Sequence, residues 1–186
     1  MKPFPMFSYI PHVLQAFENE RTVFLPKSRT MMATWTVCGW AAYKMFQRPA
    51  TCVVFQSEDE KRALDCVKYV KILWSNSLES LRKRWPLMGD TVMADHAKNE
   101  LKMANHSRCI GLVGKPDKIR SEHPTIYVAD EAAFMTRFND SFSAARGARP
   151  LHVICISSAA PGDFEDIVST AKPCDWPDWT KKEEAA

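Results

Sequence analysis

The run Ile126-Tyr127-Val128-Ala129-Asp130-Glu131 reads as an apolar strand that ends in two adjacent carboxylates. That pairing suits nucleotide hydrolysis. A carboxylate at a strand's carboxyl end organises Mg²⁺ and its waters, and the next one polarises an attacking water. The plain alternative is a strand that stops where a polar loop begins. Well upstream, Pro26-Lys27-Ser28-Arg29-Thr30-Met31-Met32-Ala33-Thr34-Trp35 joins a predicted strand to a predicted helix. A helix N-terminus turns unpaired amides toward an anion, so a strand–loop–helix is a place for phosphate. The spacing G-x-x-x-x-G-K-[ST] is absent. With Thr34 as the hydroxyl on the Mg²⁺ side, Met32 and Ala33 stand where glycine and lysine would be. Alone, the segment also reads as an ordinary βα turn.

Other chemistries find little support. His12, His96, His106, His123 and His152 form no H-E-x-x-H grouping, and no G-x-S-x-G elbow occurs. The six cysteines, Cys38, Cys52, Cys66, Cys109, Cys155 and Cys174, include no C-x-x-C pair. Neither a zinc site nor a dense disulfide framework follows from such spacing. Cysteines inside apolar runs, such as Val153-Ile154-Cys155-Ile156, read as small buried hydrophobes in a reducing compartment.

These residues need elements to hold them. Short β-branched runs alternate with longer helical ones, which points to an α/β domain with a mainly parallel sheet. Strands are expected at 22–25, 51–56, 125–129 and 151–156. A helix is expected over 33–47, and a small-residue helical piece over 141–147. Residues 100–103 and 109–113 read as a hairpin around Asn105-His106. Ser57 with Glu60 reads as a capping box, opening a helix whose apolar stripe is Leu64, Val67, Val70, Trp74, Leu78, Leu81 and Trp85. Asn76 with Glu79 could open a second helix. Arg82-Lys83-Arg84 at its end suits the helix dipole, or a DNA contact. Residues 114–124 read as a charged loop. Met31, Met32, Trp35 and Trp40 read as core, and the chain from Pro173 as a frayed end.

Composition sets outer limits. The chain has 186 residues with a formal net charge of +3, too slight to argue for nucleic acid by itself. Hydrophobic residues are 46% of it and charged ones 25%, which excludes a disordered or collagen-like chain. Ten Phe, six Trp and nine Met can fill a sizeable core. No secretory leader is visible, and the apolar stretch 31–46, broken by Lys44, is too short to span a bilayer.

Taken together, the ordered segments resemble the ATPase domain of large terminase subunits, the DNA-packaging motors of tailed bacteriophages. The resemblance runs from Lys27–Trp35 through Phe55–Ala63, the hairpin Leu101–Leu112, Ile119–Pro124, Ile126–Phe134 and Ser157-Ser158-Ala159. In that family the phosphate loop often carries its lysine at the start, as Lys27 does. The resemblance implies a RecA-like (ASCE) P-loop NTPase fold with ATP and Mg²⁺ bound by Lys27, Ser28, Arg29, Thr30, Met31, Met32, Ala33 and Thr34. It implies Walker B roles for Asp130, on the metal with Thr34, and for Glu131, on the attacking water. Arg29 would be a cis arginine, and Arg120 a trans finger offered to a neighbouring subunit. For Arg120 a loop arginine paired with Glu122 or solvent is the alternative. Ser157, Ser158 and Ala159 would form the motif coupling hydrolysis to motion. Met32 in place of the loop glycine implies a loop closed in another shape. Adenine would be held by an upstream glutamine or aromatic, for which Gln15 and Tyr9 are the candidates.

The same resemblance implies double-stranded DNA, a portal protein and a small terminase subunit as partners, with a homo-oligomeric ring as the working assembly. The setting would be the cytoplasm of an infected bacterium, transiently at the procapsid portal, with no membrane. Expected organisation is a motor domain over 1–165, a partial lid or linker over 166–186, and no nuclease domain. Two other readings stay open: a degenerate fragment that binds nucleotide or DNA without turnover, and a helicase-like ATPase.

Overall fold

The computed structural model describes residues 7–76, 99–114 and 116–174. Among these residues six strands form one sheet: β1 (Thr22–Lys27), β2 (Cys52–Ser57), β3 (Glu100–Lys102), β4 (Arg108–Val113), β5 (Ile126–Asp130) and β6 (His152–Ser158). Their order across the sheet is β1-β6-β5-β2-β4-β3, and every pairing is parallel except that of β3 with β4. The helices are α1 (Ile10–Asn19), α2 (Ala33–Gln47), α3 (Glu60–Ser75), α4 (Pro116–Ser121), α5 (Phe138–Gly147) and α6 (Asp163–Thr170). A short 3₁₀ turn, Ala132–Phe134, follows β5.

Parallel strands buried on both faces need apolar side chains at successive positions, and β2 and β5 are buried along their whole length. Alternation then divides their side chains between two cores. Val53, Phe55, Ile126, Val128, Ile154 and Ile156 face α1, α2 and α3. Cys52, Val54, Tyr127, Ala129, Val153 and Cys155 face α5, α6 and the 3₁₀ turn. Burial of five cysteines, all but Cys174, fits their reading as small hydrophobes. The second core also holds a polar chain. Tyr127 donates its hydroxyl to Gln56 Oε1 at 2.6 Å, and Gln56 Nε2 donates to Ser141 Oγ at 3.0 Å.

Several local expectations change. Ser57 does not cap α3; it is the last residue of β2 and is buried. Asp59 is the cap, its carboxylate accepting from the Lys61 amide at 2.9 Å. The buried stripe of α3 is Ala63, Cys66, Val67, Val70 and Trp74, with Leu64 only half-buried. Asn76 closes α3, its side-chain amide donating to the Ile72 carbonyl at 2.7 Å. Leu78, Glu79, Leu81, Trp85 and Arg82-Lys83-Arg84 lie outside the described residues. The stretch read as a loop over 114–124 contains α4, opened by Pro116, whose missing N–H is harmless in a first turn. Two further helices had no counterpart in the sequence reading. α1 buries Ile10, Val13 and Phe17 at spacings of three and four, and α6 buries Phe164. No helix among the described residues is long and apolar enough to cross a membrane.

Candidate nucleotide site

β1 and β5 end in the residues of interest, and β6 lies between them. Lys27 ends β1 level with Ser158 of β6, and Asp130 ends β5 level with Ile156. The alternation that sends Ile126 and Val128 toward α2 and α3 sends Asp130 the same way. There Thr34, in the first turn of α2, donates its hydroxyl to Asp130 Oδ1 at 2.9 Å. Glu131 follows the strand in a left-handed conformation, φ 55° and ψ 47°, which costs a non-glycine residue about 1–3 kcal/mol. That bend lays its carboxylate back across the strand ends. Lys27 Nζ donates to Glu131 Oε1 at 3.0 Å and to Ser158 Oγ at 3.3 Å, and the Ser158 amide donates to Glu131 Oε2 at 3.2 Å. Buried Ser157 accepts from the Ala133 amide at 3.0 Å, so the turns after β5 and β6 are fastened together.

The two carboxylates are held differently. Burial pushes the Asp130 carboxyl up, helped by the Glu131 charge and only partly countered by the Thr34 hydroxyl, Lys27 and Arg62. For Glu131, burial also pushes up, but the Lys27 ammonium, the Ser158 amide and the Arg62 charge together bring it below the ordinary carboxylate range. A buried carboxylate with an adjacent hydroxyl and no cation on it is a donor set for a hard ion, and Mg²⁺ takes one or two such oxygens with phosphate and water completing the shell. The residues present therefore fit Mg²⁺ held by Thr34 and Asp130. No group of three or more His, Cys, Asp or Glu side chains that could hold a metal by themselves occurs among the described residues.

Between β1 and α2 the loop curls through two left-handed residues, Thr30 at φ 69° and Met32 at φ 51°. Met32 thus takes the positive φ itself, where the sequence suggested a loop reshaped to avoid it. Its carbonyl accepts from the Thr36 amide at 2.9 Å and the Thr36 hydroxyl at 3.0 Å, and the phenol of Tyr9 donates to the Met31 carbonyl at 2.8 Å. The first three amides of α2 lack intrahelical acceptors, and their residues, Ala33, Thr34 and Trp35, line a cleft. That cleft, about 260 Å³, is lined by Lys27, residues 30–35, Asp130 and Glu131, joined by Arg62, Asp65 and Tyr69 of α3.

The structure therefore brings together Lys27, Thr30, Met31, Met32, Ala33, Thr34, Asp130, Glu131 and Ser158, with Ser157 just behind. Ser28, Arg29 and Ala159 are exposed, and Arg29 does not line the cleft. Arg120 is an exposed residue of α4, not of a loop, and Glu122 pairs with Arg108 at 2.8 Å instead of with Arg120. α4 leads into the start of β5 and α5 into the start of β6. The contact between Arg120 and Gly147 therefore lies toward the amino ends of the strands, away from the cleft. Tyr9 and Gln15 line a second cavity of about 1060 Å³ along β1, between α1 and residues 168–174.

Arg62, Asp65 and Tyr69 were not read as site residues. Their spacing of three and four on α3 marks a second face beside the apolar stripe, and that was the available signal. Trp35, expected in the core, is half-buried in the cleft wall and stacks on Tyr69, ring centroids 4.0 Å apart.

A curled loop ahead of α2, with a carboxylate pair two strands away across an interposed strand, is the arrangement of a RecA-like fold. Known structures bear this out. The ATPase domain of the Thermus phage P74-26 large terminase superposes with a TM-score of 0.63 over 83% of this chain and 67% of that domain, at 18% identity. The large terminase of bacteriophage HK97 superposes with a TM-score of 0.58 at 13% identity, over 85% of this chain and 34% of that one. A large terminase from a thermophilic bacteriophage gives 0.59 at 13% identity, over 83% of this chain and 39% of its own. The chain has the fold of phage large-terminase ATPase domains. No protein-family model matches it, and no curated protein matches it in sequence.

Proposed function

We propose that this chain hydrolyses ATP as the motor domain of a phage DNA-packaging terminase, coupling turnover to movement of double-stranded DNA into a procapsid. The observation that carries the reading is the joining of Lys27, Glu131 and Ser158, beside Thr34 and Asp130, at the carboxyl ends of β1, β5 and β6. Lys27, the left-handed loop and the first-turn amides of α2 receive the phosphates. When bound, Mg²⁺ on Thr34 and Asp130 neutralises charge building on the phosphate oxygens. Glu131 orients a water and takes its proton as the water oxygen bonds to the γ-phosphorus. The bond to the β–γ bridging oxygen breaks, and ADP leaves with that electron pair. Ser158, bonded to Glu131 through its amide and to Lys27 through its hydroxyl, is placed to sense both ends of that change. The relatives' family supplies the rest of the proposal: DNA held mainly through its phosphates, a portal and a small terminase subunit as partners, and action in the infected cell's cytoplasm.

Arg29 and Arg120 enter this reading with different weight. Arg29 is one residue from the loop's curled part and would fold over bound phosphate. Arg120 faces away from its own cleft, which suits a head-to-tail ring in which each copy completes its neighbour's site. A second reading rests on Met32. A strained non-glycine loop also suits a domain that binds nucleotide without turning it over. One experiment separates the two. Radiolabelled ATP binding and phosphate release are measured on the wild type and on Glu131→Gln, at concentrations that allow assembly and with DNA present. The motor reading expects both to bind and only the wild type to release phosphate. Binding without release in the wild type supports the second reading, and no binding at all ends both.

A further inference from the structure

We propose that Arg62 is a positioning residue that takes over the Glu131 carboxylate when nucleotide draws Lys27 away, an inference that rests on the hydrolytic reading above. Lys27 has two claims on it. In the structure its ammonium sits on Glu131 Oε1, with its side chain 8% exposed, whereas the reaction needs that charge on phosphate. Moving it strips the one strong hydrogen bond from Oε1 of a carboxylate that is itself only 16% exposed, and an unpaired charge so shielded is costly.

Among the described residues, one other cation is in reach. Arg62 Nη1 lies 3.5 Å from the same oxygen, longer than a good charge-assisted hydrogen bond of about 2.8 Å, while Lys27 holds that oxygen at 3.0 Å. The other groups around Glu131 cannot substitute. Asp130 from β5 carries the same charge, the Ser158 amide from β6 holds Oε2, and Asp65 and Tyr69 line the cleft farther along α3. Arg62 is also well mounted. A Cβ at Gly111 of β4 would stand 2.8 Å from the Ala63 carbonyl, so α3 lies flush on the sheet one residue from Arg62. Its side chain, 53% exposed, has room to close the remaining gap. A planar, permanently charged guanidinium also fixes a carboxylate's direction better than an ammonium does.

The test has two arms. In steady-state hydrolysis, Arg62→Ala is expected to lower kcat by up to about 10²-fold, the scale of a misaimed catalytic group, with KM changed less than about twofold. Arg62→Lys recovers part of kcat, and in a Glu131→Gln background Arg62→Ala costs nothing more. An unchanged kcat overturns the proposal, as does a KM that rises in step, which would put Arg62 on the nucleotide itself. The second arm needs no turnover. Thermal midpoints are measured for Arg62→Ala and Glu131→Gln, singly and together, with Lys27 present and with Lys27→Met. The proposal expects a coupling between Arg62 and Glu131 that grows when Lys27 is gone. Equal or absent coupling in both backgrounds overturns it. If the wild type neither binds nor hydrolyses ATP, the hydrolytic reading fails, and this arm still decides whether Arg62 holds Glu131.

Discussion

The two ends of the sheet are built on opposite plans. At the carboxyl ends, Lys27, Glu131 and Ser158 are sheltered and mutually bonded, Asp130 accepts from Thr34 beside them, and the turns that carry them include left-handed residues. At the amino ends, Arg120 stands exposed on a six-residue helix, while Glu18, Trp40, Lys44 and His152 tie α1 to α2 and β6. On the proposed reading, the first end carries the chemistry that binds and orients a nucleotide. The second offers a cation outward and otherwise holds helices in place.

The sharpest way to break that contrast is at Glu131. Glu131→Gln is expected to cut phosphate release by about 10²–10⁴-fold while ATP binding stays within a few-fold, read by single-turnover kinetics and equilibrium binding. Arg120→Ala should cost on the order of 10³-fold, but only under conditions where copies assemble. Dilute protein and assembled protein compared side by side check this, and an equal loss in both would place Arg120 outside any shared site. Gly111→Ala tests the scaffold. The new methyl meets the Ala63 carbonyl at 2.8 Å and should lower stability by about 1–3 kcal/mol in urea unfolding. Met32→Gly relieves a left-handed residue but loosens the unfolded chain, so its stability should stay within about 1 kcal/mol of wild type.

The smallest effect belongs to the amino end. Burial alone would raise Glu18, but hydrogen bonds from Lys44 and Trp40 and the charges of Lys44 and His152 bring its carboxyl below the ordinary value of 4.5. A carboxylate lowered by folding contributes stability above that ordinary value and loses it as pH falls through its folded one. Glu18→Gln should therefore lower stability slightly at neutral pH and flatten the acid side of a stability-against-pH curve, the two proteins converging as pH falls through the folded value of Glu18. An unchanged acid limb would show that the cluster contributes only packing.

How much of this was legible depended on whether the signal was local. The strands and α2 could be read because a parallel sheet demands runs such as Cys-Val-Val-Phe and Ile-Tyr-Val-Ala, and because Pro49 ends a helix. The pairing of Lys27 with Glu131 could be anticipated only through resemblance, since nothing local states that residues 104 positions apart meet. Ser57 misled because Ser-x-x-Glu is a strong capping pattern, yet β2 runs one residue longer and Asp59 does the work. α1 escaped notice although its spacing was present. Arg62 escaped because an arginine on a helix face reads as solvated until the neighbouring strand end is known.

The interposed position of β6 has one more consequence. Neighbouring strands stand about 4.8 Å apart, so the strand ends bearing Lys27 and Asp130 are separated by about 9–10 Å, whatever the loops do. Hydrogen-bonded strands make a stiff ruler, and β6 is its middle division. Only a side chain as long as lysine crosses one division to reach Glu131, and it does so directly over Ser158. On the proposed reading, the sheet thereby meters the gap that receives a phosphate chain. Altering that gauge means shearing β1 or β5 against β6, and Ser158 sits on the mark where such a slip would first be read.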